Sequence, residues 1–175
     1  YKGIIQGKDE PQNGGSYVKE NLDAHEKYNF DAVSLANESG YPDGEYCLGF
    51  VETKSTNKGT RNQLRIENIY GCGTLNKEDF AEDVLVIYCA LYPDAVEKET
   101  YVVGWYKHAT VYRNCEVMRF PSEDEEGYYD QAYNAIARKE DCVLLPRASR
   151  RKANIWKVPR KSKGVAYGFG QSNVW

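Results

Sequence analysis

His25 and Glu26, with Asp23 just before them, form the kind of acid–base group that moves protons when a cleft lies beside it. On a helix the same residues are more often an ordinary polar face. His108 and Cys115 are the other pair able to act as base and nucleophile. They sit on one strand-like stretch at an odd separation, which turns them to opposite faces. The chain has no G-x-S-x-G, no phosphate-cradling loop, no G-x-G-x-x-G opening a helix and no H-E-x-x-H. Gly71-Cys72-Gly73 reads as a turn. Cys47, Cys72, Cys89, Cys115 and Cys142 include no C-x-x-C pair, and His25 and His108 lack paired-ligand spacing. No catalytic residue, metal or cofactor is therefore expected. Cys89 and Cys142 read as small core residues.

The aromatic inventory points elsewhere. Fifteen tyrosines, three tryptophans and five phenylalanines stand largely among polar and basic residues. In Trp105-Tyr106-Lys107-His108 a strand would turn Trp105 and Tyr106 to opposite faces, so only one need be core. Aromatic faces interleaved with cations stack bases and hold phosphates. Gly14-Gly15-Ser16-Tyr17-Val18-Lys19-Glu20-Asn21 enters a helix through glycines, which can present backbone N–H groups to a phosphate or a base edge. Gly170-Gln171-Ser172-Asn173-Val174-Trp175 sets short donors and acceptors beside an indole, a combination suited to a Watson–Crick edge. The residues expected to form a base pocket are Trp105, Tyr17, Asn21, Ser172, Asn173 and Trp175.

Charge supplies the phosphate side. From Arg147 to the end there are eight basic residues and no acid, while all 26 acids lie before them. A strip of one sign set against an acidic remainder suits a polyanion. Arg147, Arg150, Arg151, Lys152, Arg160, Lys161 and Lys163 are the expected phosphate contacts.

The elements that must position these residues are mostly strands. Glu45–Glu52 follows the turn Tyr41-Pro42-Asp43-Gly44. Leu64–Ile69 alternates apolar and polar residues as a half-buried strand does. Val84–Leu91 is a near-continuous apolar run suited to a central strand. Tyr101–Arg113, equally central, carries Gly104 where a bulge can sit. Tyr133–Leu145 ends in a strand that stops at Pro146. Ser16–Tyr28 is the best helix, Asn76–Glu82 a short second one, and Ser122–Glu125 a capping box or a solvated loop. The pattern predicts an α+β fold: a mostly antiparallel, curved or closed sheet with a few peripheral helices, in one domain over 1–175 with the basic segment 147–175 packed on it. No apolar run approaches the roughly 20 residues that span a bilayer. The unpaired cysteine count and the lack of a secretory pattern suit a cytoplasmic location. An opening at Tyr1 suits a piece of a longer protein.

A resemblance adds to this reading. Lys2-Gly3-Ile4, Gly14–Asn21 with His25-Glu26 and Tyr28-Asn29-Phe30, Val103–Lys107 through Val111-Tyr112-Arg113, Glu140–Pro146 and Gly170–Trp175 together resemble the N-terminal module of bacterial HNH-type, modification-dependent restriction endonucleases. The resemblance spreads over nearly the whole chain. It implies a PUA-like domain of the EVE/YTH type, a β-barrel that flips a modified base into an aromatic pocket. It also implies double-stranded DNA as partner and a nuclease domain in cis. Two departures stand out: Ala24 occupies a position where the family usually has glycine, and no HNH motif is present. The rival readings are a PUA-like RNA binder, a small hydrolase centred on His25 and Glu26, and a protein-interaction domain.

Overall fold

The stretch beginning at Glu99 is rich in Val, Tyr and Thr, which favour the pleated conformation. In the computed structural model, which describes residues 28–51, 63–92, 99–122 and 127–158, it becomes a single strand of 23 residues, Glu99–Pro121 (β4). Around it stand β1 (Ala32–Leu35), β2 (Gly44–Gly49), β3 (Phe80–Tyr92), β5 (Tyr128–Arg138) and β6 (Cys142–Leu144). All pairings among them are antiparallel, in the order β1-β2-β5-β4-β3. β5 accompanies the second half of β4 as far as Ile136 and pairs along its other edge with β2 through Ala135–Arg138. β6 takes the vacated edge opposite Gly104–Tyr106. Helices are few: among the described residues there is one α-helix of four residues, Arg147–Arg150 (α1), and a handful of 3-10 turns.

The expected antiparallel sheet with few helices is present. Among the described residues it is not closed into a barrel, since β1 and β3 end the strand order without pairing to each other. Three local expectations are corrected. Leu64–Ile69 is no strand: Ile66–Asn68 is a 3-10 turn that drops Leu64, Ile66 and Ile69 into the core. Asn76–Glu82 is no helix, because β3 already begins at Phe80. Val84–Leu91 lies in the last strand of the order rather than a central one, with Leu85 59 % and Ile87 53 % exposed. Tyr101–Arg113 is central, and the expected bulge falls at Val103, beside Gly104. Residues 16–27 of the expected helix Ser16–Tyr28 and residues 123–125 of Ser122–Glu125 lie outside the described residues.

Alternation along the strands feeds two cores. One face collects Cys47, Tyr88, Tyr106, Val111, Ala135 and Ala137 with Phe30 and Ile66. The other collects Leu35, Tyr46, Leu48, Tyr133 and Ile136. In the first, Phe30, Tyr88 and Tyr106 touch one another at centroid distances of 4.9–5.4 Å.

Where β2 ends, two asparagines stand in for strands. The Asn29 carboxamide donates to Phe50 O (3.0 Å) and accepts from Phe50 N (2.9 Å). Asn134 does the same for Val51 O (3.0 Å) and Val51 N (2.9 Å). A carboxamide carries the donor and acceptor of a peptide unit, so each replaces one rung of a ladder.

Arg113 organises the connection between residues 64 and 79. It lies in a wide irregularity of β4, between the pairs Val111↔Ala135 and Glu116↔Tyr133. Its Nε donates to Glu78 O (2.8 Å), one terminal nitrogen to Glu67 Oε2 (2.8 Å) and the other to Leu75 O (2.7 Å). Glu67's own backbone amide and the Arg113 guanidinium hold that carboxyl below the usual carboxylate range. Arg113→Lys keeps the charge but loses the fork that reaches two carbonyls. It should lower unfolding free energy by about 2–3 kcal/mol, read from urea denaturation.

Candidate nucleic-acid interface

The strand alternation at Trp105-Tyr106 resolves as the pattern requires. Tyr106 is fully buried in the first core, and burial pushes its hydroxyl well above the usual tyrosine pKa. Trp105 is half-buried on the opposite face, between Ile87 of β3 and Val143 of β6. Its ring stacks on Trp156, with centroids 5.5 Å apart and planes inclined by 29°.

Trp156 reaches that position because the edge strand beside β4 is interrupted and then resumes. Leu145 N donates to Val103 O (2.8 Å), continuing the β6 pairing. The chain then departs through α1 and a 3-10 turn at Lys152–Asn154. It returns to the same edge, where Val102 N donates to Trp156 O (2.9 Å) and Val158 N to Thr100 O (2.8 Å). The excursion 146–155 is therefore a loop thrown out of one strand, rooted beside the stacked indoles at its returning end.

That loop carries the described part of the basic strip. Arg147, Arg151 and Lys152 are exposed. Arg150 is not available to a phosphate as expected: it is 8 % exposed, and its Nε donates to Leu145 O (2.8 Å), pinning the loop to the sheet. Lys157 forms an ion pair with Glu99, whose carboxyl it holds below the usual range, with the Tyr101 hydroxyl assisting (2.8 Å). Lys107 is exposed two residues along β4 from Trp105. Tyr17, Asn21, Ser172, Asn173, Trp175, Arg160, Lys161 and Lys163 lie outside the described residues, as do His25 and Glu26. Trp156 is the residue that reading the sequence missed. Its neighbourhood Lys152-Ala153-Asn154-Ile155-Trp156-Lys157 has the same interleaving of aromatic and cation that singled out Trp105.

A second aromatic group packs against the second core. The Tyr41 hydroxyl meets those of Tyr112 (2.5 Å) and Tyr133 (3.2 Å). Burial raises all three, Tyr41 to about 12. Glu116, not a cation, is the charge that adds to the shift, so these rings serve packing better than phosphate binding.

His108 does not approach Cys115 as a catalytic partner. Its Nδ1 lies 2.6 Å from Asp83 Oδ1, and both residues take left-handed backbone angles (φ 49° and 57°) at facing bulges of β4 and β3. Cys89 faces solvent rather than the core, whereas Cys142 packs against it. Among the described residues no group of three or more His, Cys, Asp or Glu side chains is arranged to hold a metal, and no helix is long and apolar enough to cross a membrane. Compared with known protein families, curated sequences and solved structures, the chain matches none.

Proposed function

We propose that this chain is a DNA-binding specificity module that reads a modified base, in the manner of the PUA-like readers its sequence resembles, with cleavage left to another domain. The observation that carries the reading is the Trp105–Trp156 stack at the root of the basic loop. An unstacked base would stack on these half-buried indoles, while the exposed Arg147, Arg151 and Lys152 hold the sugar–phosphate backbone without reading sequence. Extruding the base costs a few kcal/mol, which stacking and hydrogen bonds to the base edge must offset.

The test separates these two contributions. Stacking on an aromatic ring is worth about 1–3 kcal/mol per base, so Trp105→Ala should lower the preference for modified over plain duplex about tenfold or more. The residual binding should survive and fall steeply with salt, since every phosphate neutralised releases counterions. Trp105 is only half-buried on the outward face, so the variant should remain folded by thermal melting. A folded variant that still prefers modified duplex, or wild-type affinity flat between low and moderate salt, would remove the proposal. Tighter binding to RNA of the same sequence would favour the RNA reader instead.

A further inference from the structure

Extrusion of a base leaves a gap in the duplex stack. Proteins that open base steps commonly insert an apolar side chain there. We infer that Ile155 is that wedge, an inference that rests on the base-extruding reading above.

Ile155 is 69 % exposed, an aliphatic residue at the end of a loop whose other large exposed side chains are Arg147, Arg151 and Lys152. Its exposure is built into the backbone. Ala153 and Asn154 both take left-handed angles (φ 53° and 55°), a conformation that non-glycine residues adopt rarely and almost never in succession. The turn is held by Asn154 N to Arg151 O (3.3 Å), Ile155 N to Lys152 O (3.4 Å) and Lys157 N to Asn154 O (3.1 Å). Arg150 ties the loop's other end to Leu145 O. The turn therefore presents the aliphatic side chain from a braced loop.

Its neighbour along the chain is Trp156, whose ring lies on Trp105. Consecutive Cα atoms are about 3.8 Å apart, so the wedge and the stacking platform are placed side by side by one peptide unit. Cations flanking the loop bring it to the phosphates, the aliphatic tip enters the step, and the indoles receive the base that the tip displaces. The ligand class this selects is duplex with a base pair that can be opened. A single strand has no gap to fill.

The test uses the full chain and two labelled probes: a short duplex carrying methylated or hydroxymethylated cytosine or methylated adenine, and the modified strand alone. Ile155→Ala should weaken binding to the duplex about tenfold or more, leave the single strand unchanged, and keep the wild-type melting temperature. Ile155→Leu should restore duplex binding. No loss on the duplex, or an equal loss on both probes, overturns the wedge. Trp105→Ala, measured in parallel, should weaken both probes. If it does so while Ile155→Ala changes nothing, the wedge alone has failed. If Trp105→Ala changes neither, the base-stacking reading and the wedge fail together.

Discussion

Asn29→Ala should cost about 3–5 kcal/mol of unfolding free energy, because the buried N–H and C=O of Phe50 each lose their carboxamide hydrogen bond at about 1–3 kcal/mol, with a void besides. Asn29 is fully buried, and its carboxamide meets both polar groups of Phe50, which is itself buried. Natural domains hold only about 5–15 kcal/mol in reserve, so the variant should unfold at a much lower urea concentration or fail to accumulate as folded protein. Asn29→Asp sharpens the comparison: it keeps the acceptor for Phe50 N but loses the donor to Phe50 O and adds a buried charge. It should be at least as damaging despite its near-identical shape. A loss below about 1 kcal/mol for Asn29→Ala in equilibrium denaturation would mean that the amide rung is dispensable.

Gly104→Ala should be comparably severe for a different reason. A Cβ at Gly104 would stand 2.4 Å from the backbone oxygen of Val143 and 2.6 Å from the Phe30 ring. The ring is locked between Tyr88 and Tyr106, and the oxygen belongs to the strand paired with β4. Neither can yield cheaply, so β6 must separate from β4. Overpacking of this kind costs about 1–3 kcal/mol, and contact with backbone places this case at the upper end. The effect has a second readout. β6 leads into the edge that seats Trp156, so a displaced β6 should weaken the exciton coupling of the two indoles in the far-ultraviolet circular dichroism. A variant with wild-type stability and an unchanged indole signal would contradict the close approach.

Much of this architecture is legible in the residues. The turn Tyr41-Pro42-Asp43-Gly44 does precede a strand, Pro146 does end one, and Trp105 and Tyr106 do divide between surface and core. What resists reading is whatever depends on partners distant in sequence. Leu64, Ile66 and Ile69 are buried as their apolar character suggests, but the backbone there follows Arg113, which captures Leu75 O, Glu78 O and Glu67. Nothing local in 64–79 announces a guanidinium arriving from β4. Val84–Leu91 looks as though both its faces were covered, yet an uninterrupted apolar run cannot reveal how many neighbours a strand has, and β3 has one among the described residues. For the candidate site, the spacing singled out Trp105. It did not show that the chain would leave its edge after Leu145 and return at Trp156, because that return is fixed by hydrogen bonds to Val102 and Thr100.

The facing bulges at Asp83 and His108 bear on how this molecule behaves in company. β3 ends the strand order with Leu85 and Ile87 outward, the sort of hydrophobic rim that recruits strands from other molecules into fibrils. Its pairing with β4 shifts register between Ala81 and Val84, between Val84 and Val86, and again between Tyr88 and Cys89. Each shift adds twist, so the rim is broken into two regular stretches, Val86–Tyr88 and Cys89–Tyr92, with a change of twist between them. An incoming flat strand would find no single flat template along the whole of β3. The Asp83–His108 contact at the first two irregularities also sets polar side chains beside the rim, so that among the described residues this apolar edge strand is interrupted rather than flat.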